Sequence, residues 1–323
     1  MRIFLYLFLC LLFSGTAWPC SSHVSFDPHA GHDEGISSAG LINSPTASML
    51  EKNHIAIAFT FNQRRYDALD ARTAHNLHHR GHHVHGKNHE EYYHTTLGFG
   101  ITDDFQMDLN VPVVSKKSID IDSHSRLGSQ DRATGLGDMR WGLKYRFWKK
   151  GIEAALISGI KLPSGRTSAQ KENGDKFEIE SQPGADSWDA DFGWALSRRF
   201  KNRISFATSF QYLLRGRATA QHYGDVFRLS GGVAYALRSL GNHPNLSLVA
   251  ELNQDWQRKD REPDGAKLND GGGTTLWFSP GISADLTENV AAFFAMPIPL
   301  YQNIHGAHEE TEYQILSGIS IVI

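Results

Sequence analysis

The chain has 323 residues, of which 40% are hydrophobic and 21% are charged, and its formal net charge is −3. This balance gives no electrostatic basis for nucleic-acid binding, which is favoured by an excess of Lys and Arg. Outside the N-terminus, no apolar run is long enough for a transmembrane helix.

The N-terminus has the features of a cleavable secretory signal. Arg2 precedes an apolar run from residue 3 to 13, and small residues follow up to Ala17. We therefore predict a signal peptide at residues 1–17, with a retained anchor or a lipidated Cys20 as alternatives. Residues 18–53 show no sustained periodicity, which predicts a flexible periplasmic tail. Cys20 is the single cysteine after cleavage, so no internal disulfide is expected.

From residue 54 onward, short runs alternate between apolar and polar residues. In residues 138–147, Met139, Trp141 and Leu143 alternate with Arg140 and Lys144. This period of two is typical of a strand with one apolar and one polar face. Further alternating runs lie at 55–61, 93–101, 105–113, 154–162, 188–196, 204–214, 227–237, 246–252, 276–282, 290–298 and 313–323.

The connections between these runs alternate in length. Short turns are expected at 102–104, 149–151, 201–202, 238–244 and 287–289, and long polar loops between the other runs, including 67–90, 115–134 and 164–186. Short turns on one rim and long loops on the other are typical of outer-membrane barrels. We predict an all-β, antiparallel, up-and-down transmembrane barrel of about twelve strands over residues 54–323, with short periplasmic turns and long extracellular loops. A secreted β-sandwich or jelly roll is the alternative.

Several stretches resemble the bacterial outer-membrane barrel family of the meta-pathway of phenol degradation, in its transporter branch found near heavy-metal efflux loci. They are GLGDMRWGLKYRF at 135–147, GIKLPSG at 159–165, GDKFEIESQPGADSWDADFGWALSRRF at 174–200, GGGTTLWFSPGISADL at 271–286 and PIPLYQNIHG at 297–306. The resemblance implies a barrel with a transport role and brings no catalytic residues. One departure is the final Ile323, where such barrels usually end in an aromatic residue.

A histidine-rich loop is the first candidate site. It contains His75, His78, His79, His82, His83, His85 and His89, with His94 after them. Imidazole is a good ligand for Zn²⁺, Cu²⁺ and Ni²⁺, so the loop predicts capture or sensing of a transition metal at the cell surface. A solvated polar loop without metal is the alternative. A second candidate metal site in the N-terminal tail combines Cys20, His23, His29 and His32.

Charged residues at inward positions form the other candidate site. They are Asp108, Arg140, Lys144, Arg146, Lys161, Asp189, Asp191, Arg228 and Glu251. Both signs of charge occur, which leaves open a solvated channel wall or a salt-bridge network that fills the lumen. A bore of about twelve strands is narrow, and the N-terminal tail is a candidate to occlude it.

These patterns predict a channel or transporter for a small solute in the outer membrane of a Gram-negative bacterium, linked to transition metals or to aromatic compounds. The alternative is a non-conducting barrel that binds metal through the histidine-rich loop. We expect no enzymatic activity and no required cofactor. Lipid and a small solute are the expected partners, and the oligomeric state stays open.

Overall fold

The computed structural model describes residues 41–67, 86–121, 127–177, 179–200, 203–218, 222–238, 243–261, 272–305 and 310–323. The strands of these residues are β1 Ile55–Tyr66, β2 Gly86–Thr102, β3 Phe105–Ile121, β4 Leu127–Leu136, β5 Arg140–Lys150, β6 Ile152–Lys161, β7 Asp189–Phe200, β8 Ile204–Arg215, β9 Val226–Ala236, β10 Asn245–Gln257, β11 Gly273–Asp285, β12 Val290–Ala295, β13 Ile298–Ile304 and β14 Thr311–Val322. A short 3-10 turn spans Ile179–Ser181. No helix in this part of the chain is long and apolar enough to cross a membrane.

The strands close into one antiparallel barrel. Most strands pair with their neighbours in the chain, β10 pairs with β11, and β14 pairs with β12 and with β1. β4 and β5 both pair with β3, and β12 and β13 both pair with β11, so each of these couples forms one interrupted wall strand. The described residues therefore form a closed barrel with twelve wall strands, which confirms the predicted fold class. Closure leaves no open sheet edge to face hydrocarbon.

The two rims of the barrel differ as the sequence predicts. β2 and β3, β5 and β6, and β11 and β12 are joined by short turns on the rim where β1 begins. The ends of the barrel sequence meet there, because Ile55 N–H donates to the Ile323 carbonyl at 2.9 Å and Ile323 N–H donates back at 2.8 Å. Bacterial barrels place this rim in the periplasm. The long connections therefore lie on the extracellular rim.

The alternating pattern separates a lipid-facing surface from the lumen. In β10, Leu246 and Leu248 are exposed, whereas Ser247, Glu251 and Asn253 are buried. The other strands repeat this arrangement, so large apolar and aromatic side chains cover the outside while polar side chains are enclosed. This inside-out distribution is stable only when lipid contacts the outer wall.

Two of the predicted loops are partly strand. Residues 115–134 were expected to form a loop, but β3 continues to Ile121 and pairs with β4 in the register Ser115↔Thr134 and Lys117↔Arg132. β2 likewise begins at Gly86, inside the predicted loop 67–90. The prediction was wrong here because strands that extend beyond the bilayer meet water on both faces and need no apolar alternation.

Candidate functional site

The main feature of the lumen is an N-terminal segment of the chain, residues 41–50, which we call the luminal segment. All ten of its residues are buried. The sequence predicts a flexible periplasmic tail for residues 18–53, and this prediction is corrected for the luminal segment. It lies inside the barrel because the lumen wall supplies polar partners for its backbone and an apolar surface for its side chains. Residues 1–40, with the predicted signal peptide, lie outside the described residues.

The carboxylate of Glu251 holds the first turn of the luminal segment. Its Oε1 accepts from Ile42 N–H at 2.6 Å and from Asn43 N–H at 2.9 Å, and its Oε2 accepts from Ser44 Oγ at 2.5 Å. Glu251 is 1% exposed and lies near the middle of β10. A buried charge is tolerated only with several such hydrogen bonds, and hydrogen bonds to charged groups are among the strongest in proteins.

Amide and hydroxyl groups around Glu251 extend this contact to β11. Asn43 Nδ2 donates to Asn253 Oδ1 at 3.2 Å and to Ser279 Oγ at 3.3 Å. Asn253 Nδ2 in turn donates to Ser44 Oγ at 2.8 Å. Residues 42–44 are thus fixed to two adjacent strands of the wall.

An apolar patch of the lumen wall, which we call the apolar seat, covers the side chains of Leu41 and Ile42. The seat consists of Ala207, Ala234, Val249, Ala295 and Leu316, with Phe293 at its margin. Gly281 leaves room for Ile42, since a Cβ atom there would lie 2.7 Å from Ile42 Cδ1. The seat belongs to the larger of two buried apolar clusters that include residues of the luminal segment.

The luminal segment then crosses to the opposite wall. Ala47 N–H donates to Ser197 Oγ of β7 at 2.9 Å, and Leu50 N–H donates to Gln106 Oε1 of β3 at 2.8 Å. Lys144 Nζ of β5 donates to the Ser48 carbonyl at 2.8 Å. Contacts on β10, β7, β5 and β3 lie on different sides of the barrel, so the segment crosses the lumen from one wall to the opposite one.

Ion pairs connect the predicted luminal residues on the extracellular side of the segment. Arg228 donates to both oxygens of Asp255, at 2.5 and 2.7 Å, and Trp277 Nε1 donates to Asp255 at 3.2 Å. Arg140 makes a similar two-fold contact with Asp191, at 2.8 and 2.7 Å. These forked contacts match the geometry that a guanidinium prefers.

The remaining charged residues continue this network along the wall. Arg140 also lies 3.5 Å from Asp108, and Lys161 lies 2.8 Å from Asp189 and 3.2 Å from Asp138. Near the periplasmic rim, Arg146 contacts Asp104 at 3.0 Å and Glu153 at 3.3 Å. These contacts join strands that are adjacent or separated by one strand, so the charged residues form a network along the lumen wall.

The predicted metal ligands are not brought together in the described residues. Cys20, His23, His29, His32, His75, His78, His79, His82, His83 and His85 lie outside them. His89 faces outward on β2, whereas the ring of His94 lies 3.0 Å from Asn110 Oδ1. No group of three metal-ligating residues occurs in the part of the chain that the structure describes. Metal binding by the histidine-rich loop stays a prediction.

The sequence indicates that the N-terminal tail is a candidate to occlude the lumen, but it does not identify residues 41–50 as the part that lies inside. The sequence of this luminal segment, LINSPTASML, contains no charged residue, unlike the stretches on either side of it. An uncharged stretch of small and apolar residues is compatible with burial, and this was the available signal. Alternation could not reveal it, since the segment is not a strand.

The comparisons with known proteins agree with this architecture. Residues 81–298, more than half of the chain, match the family model described as "Putative MetA-pathway of phenol degradation". The chain belongs to this family. Membership of the phenol-degradation family confirms the resemblance seen in the sequence, while the branch near heavy-metal efflux loci stays a prediction. No curated protein matches the chain.

Solved structures show that members of this fold occur in the outer membrane. An outer-membrane channel from Pseudomonas putida F1 aligns with a TM-score of 0.62 at 14% identity, over 85% of this chain and 97% of that chain. The TodX monoaromatic hydrocarbon channel, as a deletion mutant, aligns at 0.44 with 12% identity, over 85% of this chain and 91% of that chain. The phenol-degradation family member described here thus shares the β-barrel fold of the outer-membrane channel from Pseudomonas putida F1.

Proposed function

We propose that this protein is an outer-membrane channel for a small aromatic solute and that the luminal segment closes it from within. The observation that carries the proposal is the complete burial of residues 41–50 between opposite walls of the barrel. The family description names phenol degradation, and the barrel from Pseudomonas putida F1 is described as a channel. The first description supports an aromatic solute, and the second supports a channel.

The apolar seat is a suitable binding surface for an aromatic solute. If the luminal segment leaves, Leu41 and Ile42 uncover the seat, and an apolar ring gains about 25 cal/mol for each Å² that it buries there. Asn253 and Ser279 lie beside the luminal segment and offer hydrogen-bonding groups for a hydroxyl substituent. An apolar surface with a few polar groups is typical of small-molecule sites.

Glu251 controls how firmly the channel is closed. Each hydrogen bond to a charged group contributes about 1.5–3 kcal/mol, and Glu251 accepts from three groups of the luminal segment. Loss of a single such bond shifts the ratio of open to closed barrels by about tenfold or more. The closed state is therefore sensitive to this one side chain.

The proposal is tested with the substitution Glu251→Gln and with deletion of residues 41–50. The neutral amide of Gln weakens the two hydrogen bonds from Ile42 and Asn43 N–H, which lose their charge assistance, so we expect E251Q to conduct at least about tenfold more often than the wild type in a planar bilayer. The deletion variant should conduct continuously. Phenol added to the deletion variant should interrupt the ion current as it occupies the lumen.

The control is Asp191→Asn, which removes a luminal carboxylate that binds Arg140 rather than the luminal segment. It should leave the open fraction near that of the wild type. A folded deletion variant that carries no current would contradict the proposal of a channel. A conducting deletion variant whose current is unchanged by phenol would contradict the proposal of an aromatic solute.

A further inference from the structure

Four basic side chains form a row across the outer wall at the extracellular end of the barrel. In the strand registers Arg65 lies opposite His89, His89 opposite Lys117, and Lys117 opposite Arg132. We call these four residues the basic row. It crosses β1, β2, β3 and β4 at one level, because each member is the direct cross-strand neighbour of the next.

The basic row faces away from the lumen. Side chains of a strand alternate between its two faces, so residues separated by an even number share a face. Each member of the row is separated by an even number of positions from an exposed apolar residue of its own strand. These exposed residues are Phe59, Tyr93, Val113 and Leu136. The row therefore lies on the lipid-facing side of the wall.

The basic row lies just above the apolar belt of the barrel. Phe61 and Tyr93 are cross-strand neighbours in this belt, with ring centroids 5.2 Å apart. Arg65 and His89 are four residues farther along the same strands, about 13 Å along the strand and roughly 9 Å along the membrane normal at a tilt of about 45°. This is the level at which lipid headgroups lie beyond the hydrocarbon.

Carboxylates near the row leave room for a further anion. Glu91 lies 3.5 Å from Arg132 and 3.5 Å from His89, and Glu312 lies 3.8 Å from Arg65. Charge-assisted hydrogen bonds are closer, at about 2.7–2.9 Å. Arg132 also donates to Ser115 Oγ at 3.4 Å and lies 3.3 Å from the ring of His89, but its side chain is 49% exposed, so its remaining N–H groups are accessible to a phosphate from the membrane side.

We propose that the basic row binds the phosphorylated sugar headgroup of a lipid in the outer leaflet. Strands are spaced about 4.8 Å apart, so the row extends over roughly 14 Å, which suits a headgroup with two separated phosphates. The acyl chains of the same lipid cover the exposed apolar residues directly below, such as Tyr93, Leu97 and Val113. Charge and apolar surface thus lie in the order that an amphiphilic lipid requires.

The test measures binding of diphosphoryl lipid A to the purified full-length protein in neutral detergent by native mass spectrometry. In the variant R65Q/K117Q/R132Q we expect affinity to fall roughly 100-fold, because each cation near a membrane surface contributes about fivefold. The matched control K149Q/K150Q/R203Q removes three exposed cations at the periplasmic rim and should bind like the wild type. Heat-modified migration on gels confirms that each variant is folded.

A second arm separates lipid from free phosphate. Inorganic phosphate at the same phosphate concentration should not displace lipid A from the wild type, and dephosphorylated lipid A should bind no better than it binds to the row variant. Equal affinity of wild type and row variant overturns the proposal. Displacement of lipid A by inorganic phosphate overturns the proposal too. Because this comparison uses only the wild type, it tests the proposal even if the row variant does not fold.

Discussion

Buried charges of the lumen differ in what they contribute, although the sequence presents them as one set. Glu251 accepts three hydrogen bonds from residues 42–44, whereas Arg228 and Asp255 bind each other. Alternation places all of these residues on the inner face and cannot assign their partners. The partners come from strand registers and from the position of the luminal segment. The sequence therefore predicts which face of the wall each charged residue lies on, but not which residue it binds.

Breaking the pair of Arg228 and Asp255 should destabilise the barrel. The substitution Arg228→Met leaves the carboxylate of Asp255 buried without its cation, which costs about 3–5 kcal/mol of unfolding free energy. Urea unfolding in detergent, followed by tryptophan fluorescence, measures this loss. The double variant R228M/D255M should recover most of it, since no uncompensated charge remains.

The control for this prediction is Lys149→Gln, which breaks a contact of 3.7 Å with Asp104 between half-exposed side chains. Exposed pairs of this kind contribute about 1 kcal/mol or less. If R228M is no less stable than K149Q, Arg228 does not compensate Asp255 as the structure indicates.

At the scale of elements, the luminal segment acts on the whole barrel although it forms no strand. It touches β10, β7, β5 and β3, and it leads directly into β1 through the bond from Asn53 N–H to the Gly100 carbonyl at 2.7 Å. Asn53 has a φ of 67°, a conformation that Asn tolerates better than most residues. The turn at Asn53 therefore directs the preceding chain back into the lumen.

A disulfide between the segment and the wall should lock the channel shut. Ala47 and Ser197 are in contact, so A47C/S197C can be cross-linked in a chain that also carries C20S and E251Q. We expect single-channel current to be low after oxidation and to rise about tenfold or more after reduction, because only the reduced segment can leave. A current that ignores the redox state, with the cross-link verified by mass spectrometry, would contradict occlusion by this segment.

At the scale of the whole molecule, the surface of the barrel is divided between lipid around the middle of the wall and water at the two rims. Leu156, in the middle of β6, is 52% exposed, and Leu237 at the periplasmic end of β9 is 45% exposed. Equal exposure has different consequences at different depths, since a charge at the bilayer midplane costs much more than one at the interface. The apolar belt thus fixes the position of the barrel in the membrane.

The depth of the belt is tested with arginine substitutions. Leu156→Arg should lower the unfolding free energy in lipid vesicles by about 2–4 kcal/mol, and Leu237→Arg by about 1 kcal/mol or less. Reversible denaturation in guanidinium chloride measures both. Equal losses would mean that Leu156 does not lie near the midplane.

The sequence by itself determined the closed antiparallel barrel, its twelve wall strands and the rim with short turns, because a two-residue period with large lipid-facing apolar side chains recurs along the chain. It misplaced the ends of β2 and β3 and assigned most of β4 to a loop, since residues beyond the bilayer lose that period. Only the tertiary structure decided that residues 41–50 fill the lumen and that Glu251 holds them. These contacts join residues more than 200 positions apart, and no local pattern encodes which side chains meet across a closed barrel.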